Sequence, residues 1–426
     1  MAAIDPSPLT TPRMATAGRP WLETLADAWH DWVTHRVTQP GFRRWATGFW
    51  LTRPLVRRRA GELFDLVSGF VYTQVLLACV RLDLFERLAA DGPQTTAALA
   101  ARCALPQRAM QRLLDAAVSL RLLRQRSGGR YGLGTLGAPM VGNGALAAMV
   151  EHHAALYADL RDPVALLRNE GAGSAMSAYW PYAAYPKAEE LQQRAVAEYS
   201  ALMTASQPMV IEELLAVYPF HRHRCLLDVG GGEGRFIAAL AAQAPQLKLM
   251  LFDLPPVAAL ARERLTRLGL TAANGALGAA QSAQGAHGSA ASQVLTFGGS
   301  FFDDPLPRGA DVVSLVRVLF DHDDAHVLSI LRAARAALPV GGTLVVAEPM
   351  AQAQGARAMG DAYFGFYLLA MGRGQPRSAA DLALLLGQAG FTHVRSLATR
   401  LPLQAGVMVA TAAAGISENP ALPEKT

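Results

Sequence analysis

Leu226-Leu227-Asp228-Val229-Gly230-Gly231-Gly232-Glu233-Gly234-Arg235-Phe236 is the stretch that decides the fold. An apolar strand runs into a glycine-rich turn, and the amphipathic run Phe236–Gln243 then starts a helix. Glycines at 230, 232 and 234 let the backbone turn tightly and approach a ligand without Cβ interference, and the free N–H groups of the helix face that ligand. A dinucleotide site needs the wider G-x-G-x-x-G spacing to admit a pyrophosphate. This turn is G-x-G-x-G, and the acidic Asp228 at the strand end favours an amine over a phosphate. A second strand, Leu247–Phe252, leads into Asp253, about 20 residues beyond the turn, where a carboxylate can accept both hydroxyls of a ribose. The competing reading is a ligand-free tight turn in an α/β core.

Further apolar runs at 293–297, 311–316 and 343–347 alternate with helical segments. A terminal pair of strands at 393–397 and 406–410 follows the helix Ala379–Ala389. Such alternation predicts an α/β, Rossmann-like doubly wound sheet with its ligand at the carboxyl ends of the first strands. Upstream, a helical pattern covers Trp21–Phe49, broken near Pro40-Gly41. A second helical stretch, Arg57–Leu88, carries Leu63, Phe64, Val67, Phe70, Val71, Val75 and Leu76 as an apolar stripe, the pattern of core or subunit interface. Short helices at Leu84–Leu88, Thr96–Ala104 and Pro106–Leu120, then a wing around Ser127-Gly128-Gly129, read as a winged helix. Residues 145–218 are helical, with a polar and aromatic interruption at Gly171–Pro186.

The expected organisation is a Pro-rich start and basic, Trp-rich extension (1–56), a helical/winged-helix domain (57–143), a helical linker (144–218), the α/β domain (219–412) and a tail (413–426). Thr271–Ser292, almost wholly Ala, Gly, Ser, Gln and Asn, reads as a mobile surface insertion without chemistry, and His287 inside it as solvated.

With 426 residues, 51% hydrophobic and 17% charged, the chain has ample material for two or three domains and is no disordered protein. No uninterrupted apolar run approaches the roughly 20 residues of a spanning helix, and the first twenty residues lack a signal h-region, so the expectation is a cytoplasmic protein. Cys79, Cys103 and Cys225 are widely spaced in apolar or helical contexts, which fits reduced thiols and no metal. The net charge of +5 is concentrated: Arg36, Arg43, Arg44, Arg53, Arg57, Arg58 and Arg59 occur with no acid among them, beside Trp21, Trp29, Trp32, Trp45 and Trp50. Two readings of this extension stand side by side: a peripheral contact with an inner or intracytoplasmic membrane, and packing on a partner subunit. Nucleic acid is not expected, because no base-reading motif accompanies the charge and the third winged-helix segment is mostly apolar. The competing class, a DNA-binding regulator that senses a cofactor, rests on the winged helix alone.

Several motifs extend the reading: Phe252-Asp253-Leu254-Pro255, Gly298-Gly299-Ser300-Phe301-Phe302, Val318-Leu319-Phe320-Asp321-His322-Asp323-Asp324 and Gly341-Gly342-Thr343-Leu344-Val345-Val346-Ala347-Glu348. With them, the chain resembles the plant-type, class I O-methyltransferases over about residues 60–412. Phe70-Val71-Tyr72-Thr73-Gln74-Val75-Leu76-Leu77-Ala78-Cys79 and Arg317–Asp323 resemble the hydroxyneurosporene (demethylspheroidene) O-methyltransferase branch of photosynthetic bacteria. The resemblance implies a homodimer, S-adenosylmethionine (SAM) as cofactor, and methylation of the tertiary 1-hydroxyl of an acyclic carotenoid. It places Asp228, Gly230, Gly232, Gly234, Asp253, Ser300, Phe301 and Arg317 around SAM, with Ser300 standing where many members carry an acid.

Relatives that methylate phenols take the proton with a His, and Phe320 occupies that position here. His322 and Asp321 read better as caps of the helix Asp324–Leu338 than as a displaced base. The candidates for a base are His152 and His153, otherwise a packed and half-solvated pair, and Glu348, otherwise structural. A polyene needs an apolar tunnel, for which Tyr179, Trp180, Phe364, Tyr367 and Met371 supply a lining. The rival substrates are a polyketide and a bacteriochlorophyll-type tetrapyrrole ring.

Overall fold

The computed structural model describes residues 20–179, 207–271, 294–402 and 404–414. Trp180 and all of the low-complexity stretch beyond Thr271 lie outside them. The N-terminal half is helical: α1 (Pro20–Thr38), α2 (Pro40–Gly48), α3 (Arg53–Arg81), α4 (Leu84–Asp91), α5 (Thr96–Arg102) and α6 (Gln107–Ser119). A small sheet accompanies them, built from β1 (Gln94–Thr95), β2 (Leu123–Arg126) and β3 (Arg130–Leu133) in the order β1-β3-β2. Cys79, Leu84, Phe85, Leu99, Met110, Leu114 and Tyr131 form its core.

The helical stretch 57–88 is two helices, the second starting at Leu84 as the short segment there was read. Leu82 closes α3, and Asp83 turns left-handed at φ 56° before α4 begins. The apolar stripe also divides. Leu77 and Cys79 are buried, whereas Leu63, Phe64, Val67 and Phe70 lie on the surface of the single chain. By length and composition α3 is long and apolar enough to cross a membrane, a feature the uninterrupted-run criterion missed because Asp65 and the uncharged Ser68, Thr73 and Gln74 break the run.

The linker supplies α7 (Gly144–Asp159), α8 (Pro163–Arg168), α9 (Ala175–Tyr179) and a helix whose described residues are 207–217, α10. The second half alternates β4 (Cys225–Val229), α11 (Arg235–Gln243), β5 (Lys248–Asp253), α12 (Pro255–Arg267), β6 (Val294–Gly298), β7 (Val312–Val316), α13 (Asp324–Ala337) and β8 (Thr343–Glu348). After a π-helical turn, Ala358–Tyr363, come α14 (Phe364–Ala370), α15 (Ala379–Gln388), β9 (Phe391–Leu397) and β10 (Gly406–Ala412).

The seven strands lie in the order β6-β5-β4-β7-β8-β10-β9. β4 to β8 run parallel, and β10 is antiparallel to both its neighbours. Strands buried on both faces explain the continuous Leu/Val/Met runs read as strands. The chain steps outward from β4 to β6 and then returns to β7, so the order reverses between β4 and β7, and a crevice opens there at the strands' carboxyl ends.

One cap differs from expectation. The N-cap of α13 is Asp323, whose Oδ1 accepts the His326 N–H at 3.0 Å. Asp321 belongs to the 3-10 turn Leu319–Asp321 and His322 closes that turn, so neither is placed to cap the following helix.

Candidate active site

β4 delivers Asp228 to the crevice at 1% exposure, where its Oδ1 accepts the Ser314 hydroxyl of β7 at 2.7 Å. The other oxygen, Oδ2, is buried without a partner among the described residues. Burial pushes the carboxyl up to about 7, against the Ser314 hydrogen bond and with help from nearby Asp253. Gly230 follows with φ +70°, and a Cβ there would stand 2.7 Å from Val318 Cγ2. At Gly231 a Cβ would meet Asp228 Oδ2 at the same 2.7 Å. The backbone therefore lies against the β7–α13 junction and the carboxylate with no room for a side chain. Gly234 ends the turn as the N-cap of α11.

The turn is also held from β5. Asp253 Oδ2 accepts the Gly232 N–H at 2.8 Å, and Oδ1 accepts the Leu254 N–H at 2.7 Å. Burial pushes this second carboxyl up to about 6 despite both bonds. Beyond β6, the Gly299 N–H donates to the Asp253 carbonyl at 2.9 Å, which sets Ser300 and Phe301 beside that strand end. Ser300 Oγ accepts the Phe302 N–H at 3.2 Å, and the Phe301 ring meets Phe302 and His322 edge-on.

A residue that sequence reasoning missed, Gln207 of α10, faces the turn: its amide nitrogen would lie 3.7 Å from a Cβ on Gly232, and its buried Oε1 has no partner among the described residues. Only an isolated Gln in an apolar helical run marked it. Two carboxylates and an amide oxygen around a glycine cradle suit a ligand that brings an ammonium and ribose hydroxyls, and the residues present fit SAM.

Beyond Val318, which touches the glycine turn, the chain enters an aromatic cluster. Phe320 is buried in the 3-10 turn and packs in one cluster with Leu156, Met176, Tyr367, Leu368 and Met371. Its ring lies 6.1 Å from that of Phe364, and the Arg317 guanidinium carbon 5.7 Å from the Phe320 centroid. Arg317 itself holds a left-handed φ of 58° directly after β7. Among the linker aromatics, Tyr179 ends α9 and Trp180 lies outside the described residues.

The three acid–base candidates occupy different places. His152 Nε2 lies 3.0 Å from the Tyr367 hydroxyl and His153 Nε2 2.8 Å from that of Tyr363, so both rings of α7 reach the aromatic wall. Burial lowers both imidazoles, His152 to about 4, and both are neutral at pH 7. Glu348 is fully buried elsewhere, with Oε2 accepting the Leu319 and Phe320 N–H groups at 3.1 and 3.2 Å. It braces the turn that carries Phe320. Arg377 braces the same turn from outside, donating to the Leu319 carbonyl at 3.0 Å and the His322 carbonyl at 2.7 Å.

Residues 157–277 and 277–392 match the family model described as the O-methyltransferase domain, and residues 64–143 the O-methyltransferase dimerisation domain. The chain belongs to the O-methyltransferase family. The dimerisation match places this O-methyltransferase among proteins that assemble as homodimers and covers most of α3, including the exposed Phe64, Val67 and Phe70. Demethylspheroidene O-methyltransferase of Cereibacter sphaeroides is 42% identical over 84% of this chain and 88% of its own length. The protein of the same name from Rhodobacter capsulatus is 38% identical over 83% of each. In fold, the O-methyltransferase is similar to human N-acetylserotonin methyltransferase, solved in complex with SAM, with a TM-score of 0.64 at 23% identity over 84% of this chain and 98% of that one.

Proposed function

We propose that this O-methyltransferase moves the methyl group of SAM to the tertiary 1-hydroxyl of an acyclic carotenoid of the hydroxyneurosporene or demethylspheroidene type, in spheroidene biosynthesis. The observation that carries the substrate class is the aromatic cluster next to the glycine turn. Where a proton acceptor would serve a phenol, the chain presents Phe320, backed by Phe364, Tyr367 and Met371, and such a surface takes an apolar polyene readily. The two demethylspheroidene relatives point to the same substrate.

SAM supplies an electrophilic methyl group. The protein's part is to hold the acceptor oxygen about 3 Å away and in line, in a site without water. Asp228 and Gln207 offer unpartnered oxygens to an ammonium group, Asp253 keeps lone pairs for ribose hydroxyls, and Phe301 forms an apolar face beside them for adenine. Among the described residues on the substrate side, His152 and His153 are able to hold a proton at their ring nitrogens.

The Trp/Arg extension fits the same substrate. Trp29, Trp32, Trp45 and Trp50 are exposed beside the arginines, so α1, α2 and the start of α3 can lie on the membrane that stores the carotenoid. Incubation with labelled SAM and, in parallel, hydroxylated acyclic carotenoids, a polyketide phenol and a bacteriochlorophyll precursor tests the reading. Label in the carotenoid is expected. Label confined to either of the others overturns the substrate assignment.

A further inference from the structure

Phe320 cannot bind the acceptor's proton at the position where phenol-methylating relatives carry a His. What the aromatic wall offers instead is two histidine–tyrosine pairs side by side. His152 and His153 are consecutive on α7 and point about 100° apart, yet both find a hydroxyl, because Tyr363 and Tyr367 stand four residues apart on one face of the opposing helix. The π-helical turn Ala358–Tyr363 ends at the first of these tyrosines and sets its angle relative to α14.

The two pairs are not equivalent. Tyr367 is 6% exposed and sealed within the cluster of Leu156, Leu166 and Met371. Tyr363 is partly exposed, with its ring 5.0 Å from that of Phe364, the neighbour of Phe320. Burial pushes the Tyr363 hydroxyl up to about 12, and the charge of Arg317, whose guanidinium lies over Phe320, acts the other way, so the phenol rests protonated with Arg317 near it. Tyr363 thus stands where the wall meets the end of β7, and Tyr367 stands behind it.

Resting on the proposed alcohol acceptor, we infer that Tyr363 receives the acceptor's proton and hands its own to His153, while the Tyr367–His152 pair only holds α14 against α7. In the transfer, the new O–CH3 bond forms as the S–CH3 bond breaks. The hydroxyl proton passes to Tyr363 Oη, the phenolic proton passes to His153 Nε2, and His153 releases it to solvent between turnovers. The tyrosine begins and ends neutral. His153 starts neutral with its other ring nitrogen protonated, so the pair accepts one proton per methyl transferred, as the stoichiometry requires. Acting as one relay, the two residues should be lost together.

The test uses full-length Tyr363→Phe, His153→Gln, their double variant and Tyr367→Phe. Turnover of whichever acceptor the wild type methylates is measured with SAM affinity by calorimetry and the ring-nitrogen shifts of His153 in the cofactor-free protein. Tyr363→Phe and His153→Gln should each lower kcat about 10²-fold, with KM and SAM affinity within threefold, and the double variant should be no worse than either. Tyr363→Phe should move the His153 shift, and Tyr367→Phe should leave that shift in place. A Tyr363→Phe enzyme turning over within threefold of wild type overturns the relay, as does a double variant whose losses multiply. If one variant fails to fold, the other decides, because loss at either member alone is required. Transfer by the wild type to a phenol and not to a carotenoid would overturn the carotenoid reading, while the same variants on that phenol would still decide the relay.

Discussion

Asp253 grips the glycine turn from the neighbouring strand, its Oδ2 receiving the Gly232 N–H at 2.8 Å while Oδ1 receives that of Leu254. The carboxylate therefore shapes the loop at the place proposed for the ribose. Asp253→Ala is expected to weaken SAM binding by at least 10²-fold and to cost about 1–3 kcal/mol of stability, since the turn loses a charge-assisted acceptor. Calorimetry and thermal unfolding read the two effects, and unchanged affinity would remove Asp253 from the site.

Gly230→Ala meets two obstacles, φ of +70° and the Val318 methyl 2.7 Å from the new Cβ. It should lose SAM binding and unfold several degrees lower. Adding Val318→Ala should recover part of the loss, because it removes the clash and leaves the backbone strain. Full recovery would show that space alone demanded the glycine, and no recovery that conformation alone did.

His322 carries a pH signature. Its ring is packed by Phe301, Phe302 and His326, and faces Asp323, Arg373 and Arg377. Burial, seconded by His326, lowers it to about 4 from an ordinary 6.5. Between those values the unfolded chain binds a proton that the folded chain refuses, so this group's contribution is whole above pH 6.5 and shrinks as the pH falls toward 4. His322→Phe should flatten that part of the stability-against-pH curve by on the order of 2 kcal/mol. An acid limb equally steep in the variant would contradict this account.

The exposed tryptophans give a test that leaves the core alone. Trp29, Trp32, Trp45 and Trp50 are 50–73% exposed, so replacing all four by Ser should leave the melting temperature within about 2 °C. Flotation with anionic vesicles should then change from bound to free. Equal partition of wild type and variant would exclude the membrane reading, and a shift from dimer to monomer in sedimentation would assign these residues to the partner.

Most of the fold could be read from the chain because parallel strands buried on both faces are written as unbroken apolar runs. Leu226–Val229 and Val312–Val316 could hardly be anything else. Asp228 and Asp253 were legible because an acid at the end of such a run is conspicuous. What stayed hidden depends on direction and not on residue type. Nothing local tells that Asp323, and neither Asp321 nor His322, caps α13. The pairing of His153 with Tyr363 joins positions 210 apart through a π-helical turn that has no sequence signal. Glu348 reads as an acid after a strand in either role; only its two N–H partners mark it as a brace for the Phe320 turn.

The position of β10 bears on how this enzyme is made. It lies inside the sheet, between β8 and β9, yet is the latest of the seven strands in the chain. During synthesis the β8 edge, with Val345 and Val346, stays open until residues 406–412 leave the ribosome. At about 5–20 residues per second, the span from β4 to β10 takes on the order of ten seconds or more to make. The N-terminal core, whose described residues run from Val75 to Leu146, has by then left the ribosome. Until β10 arrives, the open β8 edge is a template for wrong pairing, and this is when a nascent chain of this fold is most exposed.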